Sequence, residues 1–349
     1  MLIPIGHPGH GNNSLVSGRI LAGDIGGTKC NLAIFDLNEE KHNLIVEETF
    51  YSKNFKSFEE LIEAFYHHTD EQIDAVSLGI AGPVYKGKVK ATNLPWTLDA
   101  ELIAQRLDVR QVHLLNDLEA NAYGIAMLQE EELKVIFSGD DSPEGNAAVI
   151  APGTGLGEAG MYWDGRILHP FATEGGHSSF SPRDHIDLAL FQYLQKKFGH
   201  VSWERVLSGP GIYNIFCFMV EEMKREIPDV LNNDIRHAPQ PPLLISQAAA
   251  DGNDVCHEVL ERFFKYLGEE AAHLSLKIKA TGGLFIGGGI VPDILNQQFE
   301  ETFTKAFLDI GRMKPLLEKM PVKVIMNERT PLLGAAFYGA ISSRDAQSF

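Results

Sequence analysis

Two stretches of the chain share one pattern, a short apolar run, a glycine-rich turn and a second apolar run. The first stretch covers residues 20–35 around Gly26 and Gly27, and the second covers residues 147–162 around Gly153 and Gly155. Two apolar runs joined in this way predict a β-hairpin, whereas a dinucleotide-binding turn leads from a strand into a helix. We therefore predict two α/β units, each of which opens with its own hairpin.

Strand and helix patterns alternate after each hairpin, and at roughly 150 residues per domain the length favours about two domains. We predict a flexible leader at residues 1–18, a small α/β domain at 19–128 and a large α/β domain with inserted helices at 129–349. The predicted strands include 74–80, 84–92, 112–115, 284–286 and 322–326, and a last helix at 332–341 is able to pack back on the small domain.

The charge and the cysteines exclude several classes of protein. Thirty basic against forty-seven acidic residues give a formal charge of −17. Nucleic-acid and anionic-lipid binding both need a surplus of Lys and Arg, so neither partner is expected. No run reaches the roughly 18 apolar residues of a membrane-spanning helix. Cys30, Cys217 and Cys256 form neither a disulfide framework nor a zinc motif, so we expect a cytoplasmic protein.

The glycine turns are candidates for phosphate binding. Each turn alone also suits an ordinary hairpin, because glycine is the default turn residue. Two such turns, one per domain, would surround an anion with backbone N–H groups, which suits a triphosphate. Asp24 closes the first strand beside its turn, where a carboxylate could hold Mg²⁺ directly or through water. A turn aspartate bonded to local N–H groups is the alternative.

Asn116 and Asp117 are the best candidates for chemistry, because they follow a predicted strand of an α/β sheet. Ligands of such sheets gather beyond the carboxyl ends of the strands. Asp117 could accept a proton from an attacking hydroxyl, while Asn116 hydrogen-bonds the same substrate. The alternative is that Asp117 only caps the following helix.

Two further polar residues could bind a sugar. Glu174 and His177 surround two glycines, and a carboxylate can accept hydrogen bonds from two adjacent hydroxyls. A zinc site at His177 is not expected, since no cysteine cluster lies nearby. Glu204, taken alone, would be a solvated helix residue.

Together these motifs resemble the bacterial-type glucokinases of the actin-like ATPase superfamily. The similarity runs from about residue 20 to about residue 340, in the family's order. Its specific signatures are Glu204-Arg205-Val206-Leu207-Ser208-Gly209-Pro210-Gly211 and Gly287-Gly288-Gly289-Ile290-Val291-Pro292. The resemblance implies a two-domain, ribonuclease H-like α/β fold with an interdomain cleft. It also implies ATP-dependent phosphorylation of glucose at the 6-hydroxyl.

The resemblance implies a role for each matched position. Asp117 matches the catalytic base, and the matched sugar ligands are Asn116, Glu174, His177 and Glu204. The positions matching the phosphate loops and the segment beneath the adenosine are Asp24, Gly26, Gly27, Thr28, Gly153, Thr154, Gly155, Gly157, Gly287, Gly288 and Gly289. ATP and Mg²⁺, the latter near Asp24, are the expected cofactors, and a homodimer is the expected assembly.

Other hypotheses fit the sequence less well. Lys29 stands where many relatives carry Asn, and in this position the chain resembles the related repressor/kinase branch. That branch has a Cys-rich zinc motif, however, where this chain has Ser178-Ser179-Phe180. A kinase for mannose, fructose or an N-acetylated sugar is the main alternative. A sugar-responsive regulator would need a basic DNA-binding extension, and no Lys or Arg precedes Arg19. A filament or chaperone ATPase would have no use for Glu174, His177 and Glu204.

Overall fold

The computed structural model describes residues 3–6, 18–37, 42–69, 71–91, 94–140 and 144–342. The strands are β1 (Gly18–Ile25), β2 (Lys29–Leu37), β3 (His42–Tyr51), β4 (Ala75–Ile80), β5 (Lys88–Lys90), β6 (Thr97–Asp99), β7 (Gln111–Asn116), β8 (Leu133–Phe137), β9 (Ala147–Pro152), β10 (Leu156–Trp163), β11 (Leu168–Ala172), β12 (Gly283–Ile286) and β13 (Val322–Ile325). The α-helices are α1 (Phe58–Tyr66), α2 (Ala100–Leu107), α3 (Asp117–Gly124), α4 (His185–Phe198), α5 (Gly209–Glu221), α6 (Asp229–His237), α7 (Pro241–Ala250), α8 (Asp254–Ile278), α9 (Ile290–Ile294), α10 (Gln297–Leu308), α11 (Lys314–Leu317) and α12 (Thr330–Ser342).

Two mixed sheets repeat one strand order. The first sheet has the order β3-β2-β1-β4-β7, in which β1 is antiparallel to β2 and parallel to β4. The second has the order β11-β10-β9-β12-β13-β8, so its first five strands follow the same plan and β8 is added at one edge. The predicted α/β class and the two glycine-turn hairpins are confirmed. The second hairpin does not open its unit, however, because β8 precedes it in the chain and pairs at the far edge of the same sheet.

The strand sequences explain this arrangement. All six residues of β4 are buried, as are all four of β12, and both lie between parallel neighbours. A strand covered on both faces is apolar throughout rather than alternating. Their carboxyl ends therefore point to the same edge of each sheet as those of the adjacent strands, and polar residues at that edge are brought together.

Contacts between residues divide the chain into two compact units. The first contains the described residues of Met1–Leu133, Ala159–Ala172 and Asn327–Phe349, and the second those of Lys134–Glu158 and Thr173–Met326. Within the first unit α12 packs on α3 through two glycines. A Cβ at Gly334 would overlap the carbonyl oxygen of Ala120, and one at Gly124 would overlap that of Thr330. This close approach fixes the position of α3.

One predicted strand is partly wrong, and most of the predicted leader is not described by the structure. The strand predicted at 84–92 is wrong over its first half, because Lys86 and Gly87 have φ of 50° and 71° and form a turn before β5. Most of the predicted leader, residues 1–2 and 7–17, lies outside the described residues. Its residues 3–6 pair with β11, and Ile5 is fully buried.

Among the described residues, none of the helices combines the length and apolar character needed to cross a membrane.

Candidate active site

The first candidate loop is the turn between β1 and β2. The Gly26 N–H donates to the carbonyl oxygen of Lys29 (3.0 Å) and closes the turn. Ser52 ties the turn from the side, since its hydroxyl donates to the Gly26 carbonyl (2.8 Å) and its N–H to the Thr28 carbonyl (3.1 Å). A Cβ at Gly26 would lie 2.8 Å from the Lys29 carbonyl oxygen, so this tight turn needs glycine. Gly27 and Thr28 remain accessible at its tip.

Asp24 and Asp117 come together at one edge of the first sheet. Asp24 pairs with Gly79 of β4, and the next residue of β4 pairs with Asn116 at the end of β7. The start of α3 packs on Gly79, where a Cβ would lie 2.8 Å from the Cβ of Ala120 and 3.8 Å from the Cα of Asp117. The missing side chain at Gly79 therefore lets α3 bring Asp117 close to Asp24.

The Asp24 carboxyl group has an altered acidity. Burial and the Asp117 carboxylate raise the pKa of Asp24 to about 6, while the Asn31 amide, 3.4 Å from Asp24 Oδ2, lowers it. Perturbed carboxyl pairs of this kind are typical of functional sites. Within the described ranges there is no group of three or more His, Cys, Asp or Glu that could hold a metal by itself. Two carboxylates suit Mg²⁺ that arrives with phosphate, because Mg²⁺ takes one or two protein carboxylates plus substrate oxygens.

The helix cap of α3 is Asn116, so the alternative in which Asp117 serves as the cap is wrong. Asn116 Oδ1 accepts hydrogen bonds from the N–H groups of Leu118 (3.0 Å) and Glu119 (3.3 Å), and its Nδ2 donates to the Gly82 carbonyl (3.4 Å). Asp117 is the first helical residue, and its Oδ1 also accepts from Leu118 N–H (3.0 Å). The Asn116 amide is thus engaged at both ends, while the Asp117 carboxylate is oriented by the helix start.

The second candidate loop is the turn between β9 and β10, and Glu204 holds it. Gly153 N–H donates to the Gly155 carbonyl (2.8 Å), and Leu156 N–H donates to Glu204 Oε2 (3.2 Å). A Cβ at Gly155 would lie 2.6 Å from the same Oε2. Glu204 lies half-buried in a short 3₁₀ turn, so its alternative interpretation as a solvated helix residue is wrong. Thr154 is exposed at the tip of the loop, and Gly157 lies in β10.

The third glycine run lies beside this second loop. Gly287 N–H donates to the Ile150 carbonyl (2.8 Å) at the end of β9. Gly288 has φ of 78°, and a Cβ there would overlap the Pro152 carbonyl oxygen, whereas Gly289 has open space around its Cα. Gly288 therefore packs against the start of the second loop and Gly289 is exposed beside it, whereas Gly287 is buried.

Glu174 and His177 lie on a turn that is tied to Glu204. Their side chains are 61% and 58% exposed, with Glu174 Oε2 and His177 Nε2 3.9 Å apart. The next residue, Ser178, accepts through its carbonyl from Trp203 N–H (3.0 Å). The second unit thus brings Glu174, His177 and Glu204 onto neighbouring turns.

Sequence reasoning missed three side chains that support these loops. Asn31 and Ser52 hold the first loop, and Glu158 lies in β10 beneath the turn of Glu174 and His177. Glu158 had a signal, since a Glu in a strand of otherwise small and apolar residues predicts a buried carboxyl group that needs a partner. Asn31 and Ser52 look like ordinary polar strand-end residues and had no such signal.

Known proteins resemble the chain over most of its length. A family model described as glucokinase matches residues 21–341. The glucokinase of a Nostoc species is 37% identical over 92% of this chain and 98% of its own, and that of a Synechocystis species is 35% identical over 93% and 98%. A glucokinase structure from an Antarctic psychrotroph aligns with a TM-score of 0.75 at 30% identity, over 92% of this chain and 98% of its own. A ROK family glucokinase from Streptomyces griseus, in complex with glucose and AMPPNP, shares the fold, with a TM-score of 0.62 at 21% identity over 91% and 98%.

Proposed function

The chain belongs to the glucokinase family and phosphorylates glucose with ATP, and we propose that Asp117 is the base of that reaction. Its two mixed sheets have the fold of the actin-like ATPases. The observation that supports the proposal is the position of Asp117, at the carboxyl end of β7 and next to Asp24. In open α/β sheets ligands bind beyond these strand ends.

In the proposed step the 6-hydroxyl oxygen of glucose forms a bond to the γ-phosphorus of ATP. The bond from that phosphorus to the β,γ-bridging oxygen breaks, ADP leaves, and the hydroxyl proton passes to the Asp117 carboxylate. A sugar hydroxyl is a weak acid and the transition state is loose, so Asp117 also orients the attacking oxygen before it receives the proton. The hydrogen bond from Leu118 N–H to Asp117 Oδ1 fixes the carboxylate for this task.

We propose that the two glycine loops and the run Gly287–Gly289 bind ATP through their remaining backbone N–H groups, because those of Gly26, Gly153 and Gly287 donate within the protein. The large negative charge of the chain favours backbone groups over a basic surface for this role. Asp24 would hold Mg²⁺ directly or through water. That ion, when bound with ATP, neutralises phosphate charge during transfer. The raised pKa of Asp24 fits this role, because a cation would compensate a carboxylate that the protein itself leaves partly uncompensated.

The proposed sugar ligands are Asn116, Glu174, His177 and Glu204. Glu174, His177 and Glu204 lie on two turns of the second unit, which the hydrogen bond from Trp203 N–H to the Ser178 carbonyl joins. Leu156 N–H donates to Glu204 and holds it in place. A fixed carboxylate that accepts from sugar hydroxyls discriminates against a sugar in which one hydroxyl is missing or inverted.

The test of the base is Asp117→Asn. General-base catalysis contributes about 10²–10⁴-fold, so we expect turnover to fall by about that factor while the glucose Kd changes less than about threefold. A coupled assay of ADP release measures turnover, and calorimetry measures the glucose Kd. Turnover within about tenfold of the parent protein would reject Asp117 as the base.

A hexose panel tests the sugar. The family model and the relatives at 35% and 37% identity are glucokinases, which supports glucose as the substrate here. We expect kcat/KM for glucose to exceed that for mannose, fructose and N-acetylglucosamine by about tenfold or more, as hydroxyl recognition allows. A larger kcat/KM for one of the other sugars would reassign the substrate.

Assembly and location are also proposals. We propose a homodimer, which size-exclusion chromatography with light scattering would test. We propose a cytoplasmic location, supported by the three cysteines, which are all free and buried.

A further inference from the structure

A pair of buried carboxyl groups lies beneath the turn that carries Glu174 and His177. Glu158 of β10 is 2% exposed, and Glu270 of α8 is fully buried. Neither group takes part in the phosphoryl transfer proposed above. Carboxyl groups are seldom buried to this degree, because the charged form loses its hydration.

Glu158 contacts the turn with both its main chain and its side chain. The Thr173 hydroxyl donates to the Glu158 carbonyl (2.8 Å) and accepts from Gly175 N–H (3.3 Å). The side chain packs on Gly175 itself, where a Cβ would lie 2.8 Å from Glu158 Cδ and overlap Oε2. The turn therefore rests directly on the Glu158 carboxyl group.

The surroundings of Glu158 favour its protonated form. Burial and the Glu270 carboxylate raise the pKa of Glu158 to about 8, against a smaller lowering by Lys277. Its Oε1 is buried and, among the residues that the structure describes, has no hydrogen-bond partner. Glu270 contacts His273 Nδ1 (3.0 Å) and Lys277 Nζ (3.5 Å), so the lysine charge near the pair lies on the Glu270 side.

The three segments around this pair carry further ionisable groups. From α8 come His273 and Lys277, and from the turn come Glu174 and His177, whose side chains are mostly exposed. The neighbouring turn contributes Glu204, which is engaged with Leu156 N–H. Of these groups, Lys277 acts on Glu158 together with Glu270.

We propose that Glu158 is a positioning residue for glucose: its protonated carboxyl holds the 173–177 turn in place, and its ionisation shifts that turn and weakens glucose binding. When the proton leaves, two carboxylates repel each other in a buried site and each needs hydration. Gly175 is the neighbour that must yield, and Glu174 and His177 move with it. The inference rests on the proposed roles of Glu174 and His177 as sugar ligands.

The test compares the parent protein with Glu158→Gln, which keeps the shape of the side chain and cannot ionise. We measure the glucose Kd by calorimetry without nucleotide, and the KM values for glucose and ATP, from about pH 7 to about pH 9.5. In the parent protein the glucose Kd and KM should rise about fivefold or more over this range, with the KM for ATP within about twofold. In Glu158→Gln the glucose values should stay within about twofold.

Two further variants serve as controls. Glu269→Gln is matched, because Glu269 is also 2% exposed in α8 with a pKa raised to about 7, but it pairs with Lys265 and Arg183. In Glu269→Gln the glucose Kd should depend on pH as it does in the parent protein. Glu158→Met, also unable to ionise, replaces Glu158→Gln if that variant does not fold, and it should show the same flat profile.

The outcomes separate this inference from the proposed sugar site. A glucose Kd that stays level with pH in the parent protein, or rises equally in Glu158→Gln, overturns the positioning role. Glu174→Gln at about pH 7 is measured alongside, and a glucose Kd unchanged there rejects the sugar role of the turn. If Glu174→Gln weakens binding while Glu158→Gln keeps the parent profile, only the inference about Glu158 fails.

Discussion

Each of the two units contains a close pair of carboxyl groups beside a glycine turn, and the pairs differ in what surrounds them. In the first unit Asp24 lies near Asp117, stays partly accessible, and is approached by the neutral amide of Asn31. In the second unit Glu158 lies near Glu270, is almost completely buried, and has Lys277 close to its partner.

The difference separates two uses of the same chemistry. Burial and a like charge raise the pKa in both pairs. A pKa of about 6 leaves Asp24 largely ionised at neutral pH, and a carboxylate that is accessible from outside can receive a cation. A pKa of about 8 keeps Glu158 largely protonated at neutral pH, and a buried neutral carboxyl packs against its neighbours, donates one hydrogen bond and still accepts others, but brings no charge to a substrate. We infer that the first pair acts on the substrate and the second on the shape of the site.

Among the variants that test this comparison, the largest effect is expected for Asp24→Asn, which removes one of the two carboxylates of the first pair. We expect kcat/KM for ATP to fall about 10²-fold or more, because electrostatic stabilisation of a transferring phosphoryl group is lost. Steady-state kinetics at several Mg²⁺ concentrations measure it. Asp36→Asn is the control, since Asp36 is at the far end of the same hairpin, opposite Arg19. A loss below about threefold in Asp24→Asn would remove the distinction between the two pairs.

An intermediate effect is expected for Gly175→Ala, which acts on the second pair. The new Cβ overlaps Glu158 Oε2, so the turn must move, and we expect the KM for glucose to rise about tenfold, equivalent to about 1.4 kcal/mol. The double variant Gly175→Ala/Glu158→Ala removes the overlapping carboxyl and leaves the Glu158 Cβ 3.3 Å away. Part of the loss should then be recovered. No recovery would mean that the contact with Glu158 does not set the turn.

The smallest expected effect is on the pH dependence of stability. Both raised pKa values mean that the unfolded chain releases its proton first, so stability is fully present at low pH and falls as pH rises. For Asp24 the fall lies between its usual 3.8 and about 6, and for Glu158 between 4.5 and about 8. Between about pH 6 and pH 8, Glu158→Gln should therefore flatten the decline of Tm by about 2–4 °C, and Asp24→Asn should not. Calorimetric scans at a series of pH values measure Tm. Equal slopes of Tm against pH in Glu158→Gln and Asp24→Asn would contradict the comparison of the two carboxyl pairs.

The sequence was sufficient for elements whose local signals and tertiary environment agree. Glycine turns predicted both hairpins, and the polar pair Asn116-Asp117 after an apolar run predicted the end of β7. The cap could not be assigned, because adjacent Asn and Asp have similar cap preferences and the end of the strand decides between them. The roles of these residues in catalysis stay predictions.

Other elements depend on neighbours that are distant in sequence. Strand β11 contains Pro170, which argues against a central strand, and it is tolerated because β11 is at the sheet edge. The Glu158–Glu270 pair joins residues more than a hundred positions apart, so no local pattern reveals it. Sequence patterns report local periodicity and composition, whereas a buried pair arises from packing.

The short segment at residues 3–6 has a practical consequence for anyone who prepares this protein. Leu168 N–H donates to the Pro4 carbonyl (2.7 Å) and Gly6 N–H donates to the Leu168 carbonyl (3.0 Å), with Ile5 fully buried between them. These bonds occupy part of the outer edge of β11, and an uncovered edge is a template for association between molecules. A truncation that starts at Gly18 would uncover both that edge and the apolar slot of Ile5, so shortening the chain there to aid crystallisation would promote aggregation.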